Sequence, residues 1–179
     1  MGTGDGRAVL AAAARDPRTL ALGIDAVAAS MAESSRRAAG PARKGGRPNA
    51  AFIVAPAEAT PPELRGIAQL VSVQLPWGSL LRGCLGADVA VAGGIADLVA
   101  AGGMLELLLA PAEKDGLSGL PLDTGAVVDA AAGAFEASGL ELVEGRAATA
   151  DELRASGSTW ARRLRRPAVL VRLERETRR

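Results

Sequence analysis

Short apolar runs alternate along the chain with stretches whose apolar residues recur at helical spacing. Residues 19–25 (TLALGID) predict a strand ending in an acid, and 26–39 a helix. A basic loop over 40–49 leads into a strand and its C-terminal turn over 50–58, and 68–76 (AQLVSVQLP) predicts a further strand followed by a loop carrying Trp77. Residues 88–101 suit a helix and 104–109 a strand. A Gly/Pro-rich connection (EKDGLSGLPLD) then leads into a helix over 124–138. LELVEGRAAT predicts a strand and its exit, residues 151–166 mix helix and loop around Trp160, and 168–174 close as a strand. Strands separated by helices of this length predict a three-layer α/β fold around a mainly parallel sheet, with the last two strands as an antiparallel pair at one edge. A single domain over residues 1–179 is expected.

Composition sharpens this picture. Nearly half the chain is apolar (49%), and aromatic residues make up only 2%, so a core of Ala, Val and Leu is expected. The chain has no histidine, which removes Ser-His-Asp and Cys-His triads, His-ligated zinc and any imidazole base. Cys84 stands alone, so no disulfide framework or cysteine-based metal site is expected. No metal is expected at all. The most apolar region, 89–110, is interrupted by Asp97, Glu106 and two Gly-Gly pairs, and reads as helix then strand rather than a membrane span. With no signal peptide visible, a cytoplasmic protein is expected.

Net charge is only +1 but is unevenly placed. Residues 154–179 hold nine arginines against Glu174 and Glu176, and SSRRAAGPARKGGR carries Arg36, Arg37, Arg43, Lys44 and Arg47 with no acid. Such clusters fit either a polyanion-facing surface or a solvated arginine-rich tail.

The chain opens MGTGDGR, a turn with Gly2, Gly4 and Gly6 directly before a predicted helix. Glycine permits close approach of a ligand, and a helix N-terminus offers free N–H groups. Asp25 closes the next strand, where a carboxylate can accept both ribose hydroxyls of an adenine nucleoside. A dinucleotide fingerprint wants a third glycine where Arg7 stands, whereas G-x-G-x-G suits S-adenosylmethionine, which has no pyrophosphate to cradle. A plain turn remains the alternative. Glu58 ends the strand after that; it either borders an adenine pocket or stands as an ordinary exposed acid. Trp77 and Trp160 both avoid the predicted strands, and Trp160 lies in GSTWARRLRRP among arginines. Each alone reads as a lid on the core. As a pair they can sandwich an unstacked base while arginines hold the flanking phosphates.

GTGDGR, GID, PAEA, PWGSLLRG and STWARRL together closely resemble the 16S ribosomal RNA (adenine-1408, N1)-methyltransferases that confer kanamycin–apramycin resistance, from Gly2 to about Arg172. The resemblance implies a Rossmann-like class I methyltransferase fold and S-adenosylmethionine as cofactor. It implies cofactor contacts from Gly2, Thr3, Gly4, Gly6, Asp25, Ala57 and Glu58, with Asp25 on the ribose and Glu58 by the adenine. Trp77 and Trp160 would stack on a flipped adenine, and Ser158 would order their loop or the cofactor. Arg162, Arg163, Arg165 and Arg166 would hold RNA around that base, while Arg43, Lys44 and Arg47 dock on the RNA helix. The implied partner is 16S rRNA within the assembled 30S subunit, met by a monomer. Family members carry a hydrophobic strand before the glycine turn, yet here Met1 immediately precedes Gly2. The central strand is therefore expected to be missing from this chain, and a start upstream is expected for the natural protein. Two other readings stay open: a non-catalytic cofactor- or RNA-binding remnant, and a related transfer-RNA methyltransferase.

Overall fold

The computed structural model describes residues 1–112, 123–158, 161, 164 and 167–177. Contacts divide the chain into two compact units, Met1–Pro56 and Ala57–Arg179.

The first unit runs α1 (Arg7–Arg15), β1 (Ala21–Asp25), α2 (Ala28–Ala38), a 3-10 turn (Ala42–Lys44) and β2 (Ala50–Val54). β1 and β2 are parallel, in register from Ala21↔Ala50 to Asp25↔Val54. Its core is small: Ala13 of α1, Ile24 of β1, and Met31 and Ala38 of α2 are buried. The side chain of Asn49 donates to the carbonyls of Ala13, Asp16 and Thr19, so one amide satisfies the end of α1 and the loop behind it.

The second unit contains β3 (Ala68–Gln74), α3 (Gly78–Cys84), α4 (Val89–Asp97), β4 (Val99–Leu109), α5 (Thr124–Glu136), β5 (Leu140–Ala147), α6 (Ala150–Ala155) and β6 (Val169–Arg175). Its sheet has the order β3-β4-β6-β5, with β3 and β4 parallel and β6 antiparallel to both β4 and β5. α3, α4 and α5 contact one another, with α4 against β4 and α5 against β5 and β6. Between these layers lie Val71, Val73, Leu105, Leu107, Val171 and Leu173 from the strands and Leu81, Ile95, Val127, Ala131 and Phe135 from the helices, all buried. Alternation along the strands puts these residues on one face, and Ser72, Glu106 and Arg172 on the other. Asp88 caps α4 by accepting from the Val91 N–H, and Asp123 caps α5 by accepting from the Ala126 N–H. At the other ends of those helices, Arg175 of β6 donates to the carbonyls of Ala96 (2.7 Å) and Ser138 (3.0 Å).

The α/β class and the antiparallel final pair match the expectation from sequence, but the single mainly parallel sheet does not: the described strands form two sheets, and the larger has one parallel and two antiparallel pairings. Two elements differ. The helix predicted over 88–101 ends at Asp97, and β4 begins at Val99 rather than at 104. Val99 pairs with Ala68, and the register then shifts to Leu70↔Met104, so the glycine pair falls inside the strand as an irregularity instead of preceding it. The predicted Trp77 loop is also shorter than expected, because α3 starts directly after Trp77. Among the described residues no single helix is long and apolar enough to cross a membrane.

Candidate functional site

The glycine turn folds back onto the carboxyl end of β1. The N–H groups of Gly2 and Thr3 both donate to the Ile24 carbonyl, at 2.9 and 3.2 Å. The Gly4 N–H donates to Asp25 Oδ2 (2.8 Å), and the Val27 N–H to Asp25 Oδ1 (2.9 Å). Each carboxylate oxygen has a second lone pair, so the aspartate is fixed in orientation yet still able to accept hydroxyl protons.

The three glycines are not equivalent. Gly4 has φ +55 and nothing within 4 Å of the place a Cβ would occupy, an open floor beside the carboxylate. Gly6 is buried with φ +76, and a Cβ there would stand 2.7 Å from both Phe52 Cε1 and Ser34 Cβ. Only glycine therefore fits under the turn at this position.

In the second unit, Ala57 and Glu58 form a 3-10 turn (Ala57–Ala59); Ala57 is buried and Glu58 exposed. Trp77 caps α3 with an extended backbone and is 79% exposed, so it is no lid on the core. Ser158 follows α6, its N–H donating to Ser156 Oγ (3.2 Å). Trp160, Arg162, Arg163, Arg165 and Arg166 lie outside the described residues.

Comparisons with known proteins place the chain in a family. The family model for NpmA, 16S rRNA (adenine(1408)-N(1))-methyltransferase, matches residues 1–175. The chain belongs to that family. A 16S rRNA (adenine(1408)-N(1))-methyltransferase of Streptoalloteichus hindustanus is 34% identical over 171 residues, covering 92% of this chain and 78% of that enzyme. The Escherichia coli enzyme of the same name is 37% identical over 98 residues, covering 55% of this chain and 45% of its own length. The crystal structure of a W203A mutant of the Catenulisporales acidiphilia enzyme with cosubstrate SAM superposes with a TM-score of 0.88 at 31% identity, covering 99% of this chain and 84% of that one. A Rossmann-like methyltransferase fold follows.

For this methyltransferase the structure adds two residues that sequence reasoning missed. Leu75, two positions before Trp77, has φ +49, the positive-φ non-glycine backbone among the described residues. Its N–H donates to the Leu108 carbonyl (2.7 Å), which holds the bend that delivers Pro76 and Trp77. A leucine in the left-handed region costs about 1–3 kcal/mol, strain that clusters at functional sites. Gly94 of α4 is the second. A Cβ there would meet the Ala57 carbonyl oxygen at 1.9 Å, so only glycine lets the helix carry the Ala57–Glu58 turn this closely. PWG in the sequence hinted at a turn near Leu75; nothing local pointed to Gly94.

The basic loop divides too. Arg43 and Lys44 are exposed on the 3-10 turn, whereas Arg47 is half-buried and donates to the Gly46 carbonyl (2.9 Å). Arg43 and Lys44 are thus the more exposed of the three.

Proposed function

We propose that this chain transfers the methyl group of S-adenosylmethionine to N1 of adenine 1408 of 16S rRNA in the assembled 30S subunit, and that the modification protects the ribosome from aminoglycosides. The observation that carries the reading is Trp77, a large ring left 79% in water at the end of a backbone bent through the left-handed region. Burial of an indole is worth several kcal/mol to a fold, so a chain poor in aromatics that exposes one is holding it for a partner.

The residues present fit the cofactor. Gly4 leaves space beside Asp25, and the Asp25 oxygens, oriented by the Gly4 and Val27 N–H groups, keep lone pairs for two ribose hydroxyls. Gly2 and Thr3 line the same turn, and Ala57 with Glu58 would meet the adenine. Bound there, S-adenosylmethionine supplies an electrophilic sulfonium methyl. Trp77 and Trp160 hold the extruded adenine between them, each face contributing about 1–3 kcal/mol, which offsets the few kcal/mol that unstacking costs. Ser158 orders the segment between α6 and Trp160. Adenine N1 attacks with a lone pair it already has at neutral pH, so no residue need accept a proton, and the absence of histidine is no handicap. Arg162, Arg163, Arg165 and Arg166 hold the phosphates beside the flipped base, and Arg43, Lys44 and Arg47 dock on the rRNA helix. The reading has the enzyme working as a monomer in the cytoplasm, where its ribosomal substrate is.

The test is incubation of 30S subunits with labelled cofactor and mapping of the product by primer-extension stop. The wild-type chain should stop extension at adenine 1408. Trp77→Ala should lower kcat/KM by roughly five- to 150-fold, the stacking energy expressed as a rate, at near-native thermal stability. Label in tRNA with none in 30S would move the substrate elsewhere, and cofactor binding without transfer would make the chain a non-catalytic remnant.

A further inference from the structure

The face of the four-stranded sheet opposite the helices carries a transverse row of charge. Ser72, Glu106, Arg172 and Glu144 sit side by side at one register across β3, β4, β6 and β5. Gln74 donates to Glu106 Oε1 (3.4 Å). Arg172 donates from Nε to Glu106 Oε2 (3.0 Å) and from Nη1 to Glu144 Oε2 (2.7 Å). Glu144 Oε1 accepts from Arg146 Nε at 2.7 Å. Arg146 then turns its fork outward and grips Glu152 with both nitrogens, Nη1 to Oε2 at 2.9 Å and Nη2 to Oε1 at 2.7 Å. Glu152 also accepts from the backbone N–H and hydroxyl of Thr149, whose own hydroxyl caps the Glu152 N–H. The row thus passes without a break from the middle of the sheet to the first turn of α6.

α6 needs it. None of its six residues is fully buried and only Leu153 offers a half-buried apolar side chain, so apolar packing alone holds this helix weakly. Beyond the helix the polar relay continues: Ser156 Oγ donates to the Leu153 carbonyl (2.7 Å) and accepts the Ser158 N–H, two residues before Trp160. The paired guanidinium also draws the Glu152 carboxyl down to about 2, so the clasp is charged throughout the range in which enzymes work.

We infer that Arg146 and Glu152, braced by Glu144 and Arg172, are positioning residues that aim α6 and the segment carrying Ser158 and Trp160, and that they act on catalysis and not on the stability of the fold. A surface ion pair ordinarily contributes little to stability. Here its geometry is bidentate and is tied to a rigid sheet, which suits it to fix a direction. The inference rests on the base-holding role of Trp160 proposed above.

The test uses Arg146→Lys, Arg146→Met and Glu152→Gln in the full chain. Lysine keeps the charge and loses the fork; glutamine keeps the capping box and loses the charge. Three quantities are read: thermal midpoint, kcat and KM on 30S subunits, and time-resolved anisotropy of Trp160 as sole emitter in a Trp77→Phe background. The midpoint should stay near that of the unsubstituted chain. On 30S, kcat should fall by about ten- to a hundredfold for Arg146→Met, the cost of misplacing a group by about an ångström, with Arg146→Lys between. The anisotropy of Trp160 should decay faster in Arg146→Met and Glu152→Gln. Unchanged kcat with unchanged anisotropy overturns the inference, as does a kcat loss that merely follows a fall in the midpoint. If the unsubstituted chain does not methylate 30S at all but the anisotropy still responds, the functional reading fails while the positioning role stands.

Discussion

Two adjacent glycines in α4 should respond in opposite ways to the same substitution. A Cβ on Gly93 would meet nothing within 4 Å, whereas one on Gly94 would sit 1.9 Å from the Ala57 carbonyl oxygen, 2.8 Å from its carbon and 3.2 Å from Glu58 Cα. Alanine is favoured over glycine in a helix interior by about 1 kcal/mol. Gly93→Ala should therefore gain most of that, a rise in Tm of roughly 2–4 °C for a chain of this size. Gly94→Ala has the same propensity gain but must open the contact by about 1.5 Å to reach ordinary van der Waals distance, and overpacking of this kind costs about 1–3 kcal/mol. The helix is anchored by buried Val91, Ala92, Ile95 and Ala96, so the Ala57–Ala59 turn is the partner that yields. If that turn meets the cofactor's adenine, Gly94→Ala should weaken S-adenosylmethionine binding by about tenfold, equivalent to about 1.4 kcal/mol. Calorimetric titration with the cofactor and thermal denaturation, run on both variants, separate the two effects. A Gly94→Ala protein that binds as tightly as the unsubstituted chain would refute the reasoning, and so would a lowered Tm in Gly93→Ala.

Further outcomes follow from single sites. Asp25→Asn keeps the shape but places an amide where the Gly4 or Val27 N–H now donates, so cofactor affinity should fall by about tenfold or more, as titration would show. The Arg146 clasp lowers the Glu152 carboxyl from its ordinary 4.5 to about 2. Its contribution is complete above about pH 4.5 and is lost as pH falls toward 2, so the difference between the chain and Glu152→Gln in Trp160 anisotropy should close across that window. Cys84 is fully buried and its thiol is pushed up to about 12, so a thiol reagent at pH 8 should label it only after denaturation.

What the sequence disclosed and what it hid follow from the range of the interactions. β1, β2, β3 and β6 were legible because each apolar run is bounded by polar or turn residues, and α5 because Asp123 caps a clear helical period. The boundary between α4 and β4 was not: Leu98, Val99 and Ala100 are apolar in either state, and only pairing of Val99 with Ala68 makes them strand. α3 is short and holds two glycines, so local propensity argued against it. At the site, the glycine turn and Asp25 could be read because the turn opens a helix and the acid closes the strand after it, a spacing that brings the two together at one end of that strand. Leu75 could not, since its backbone is set by a hydrogen bond to Leu108. The Arg146–Glu152 clasp draws its direction from Arg172, on a strand formed much later in the chain. Gly94 looks like any helix glycine until Ala57 is brought against it.

The strand order has a consequence for biogenesis. β6 lies between β4 and β5, so the latter two, although made first, have no partner in common until residues 169–175 exist. The same strand brings Arg175, which closes the carbonyl ends of α4 and α5. The larger unit therefore cannot complete its sheet while those residues are still inside the ribosome that is making it. Until they emerge, β4 and β5 each keep an open edge, and the nascent chain must hold both apart from other partners.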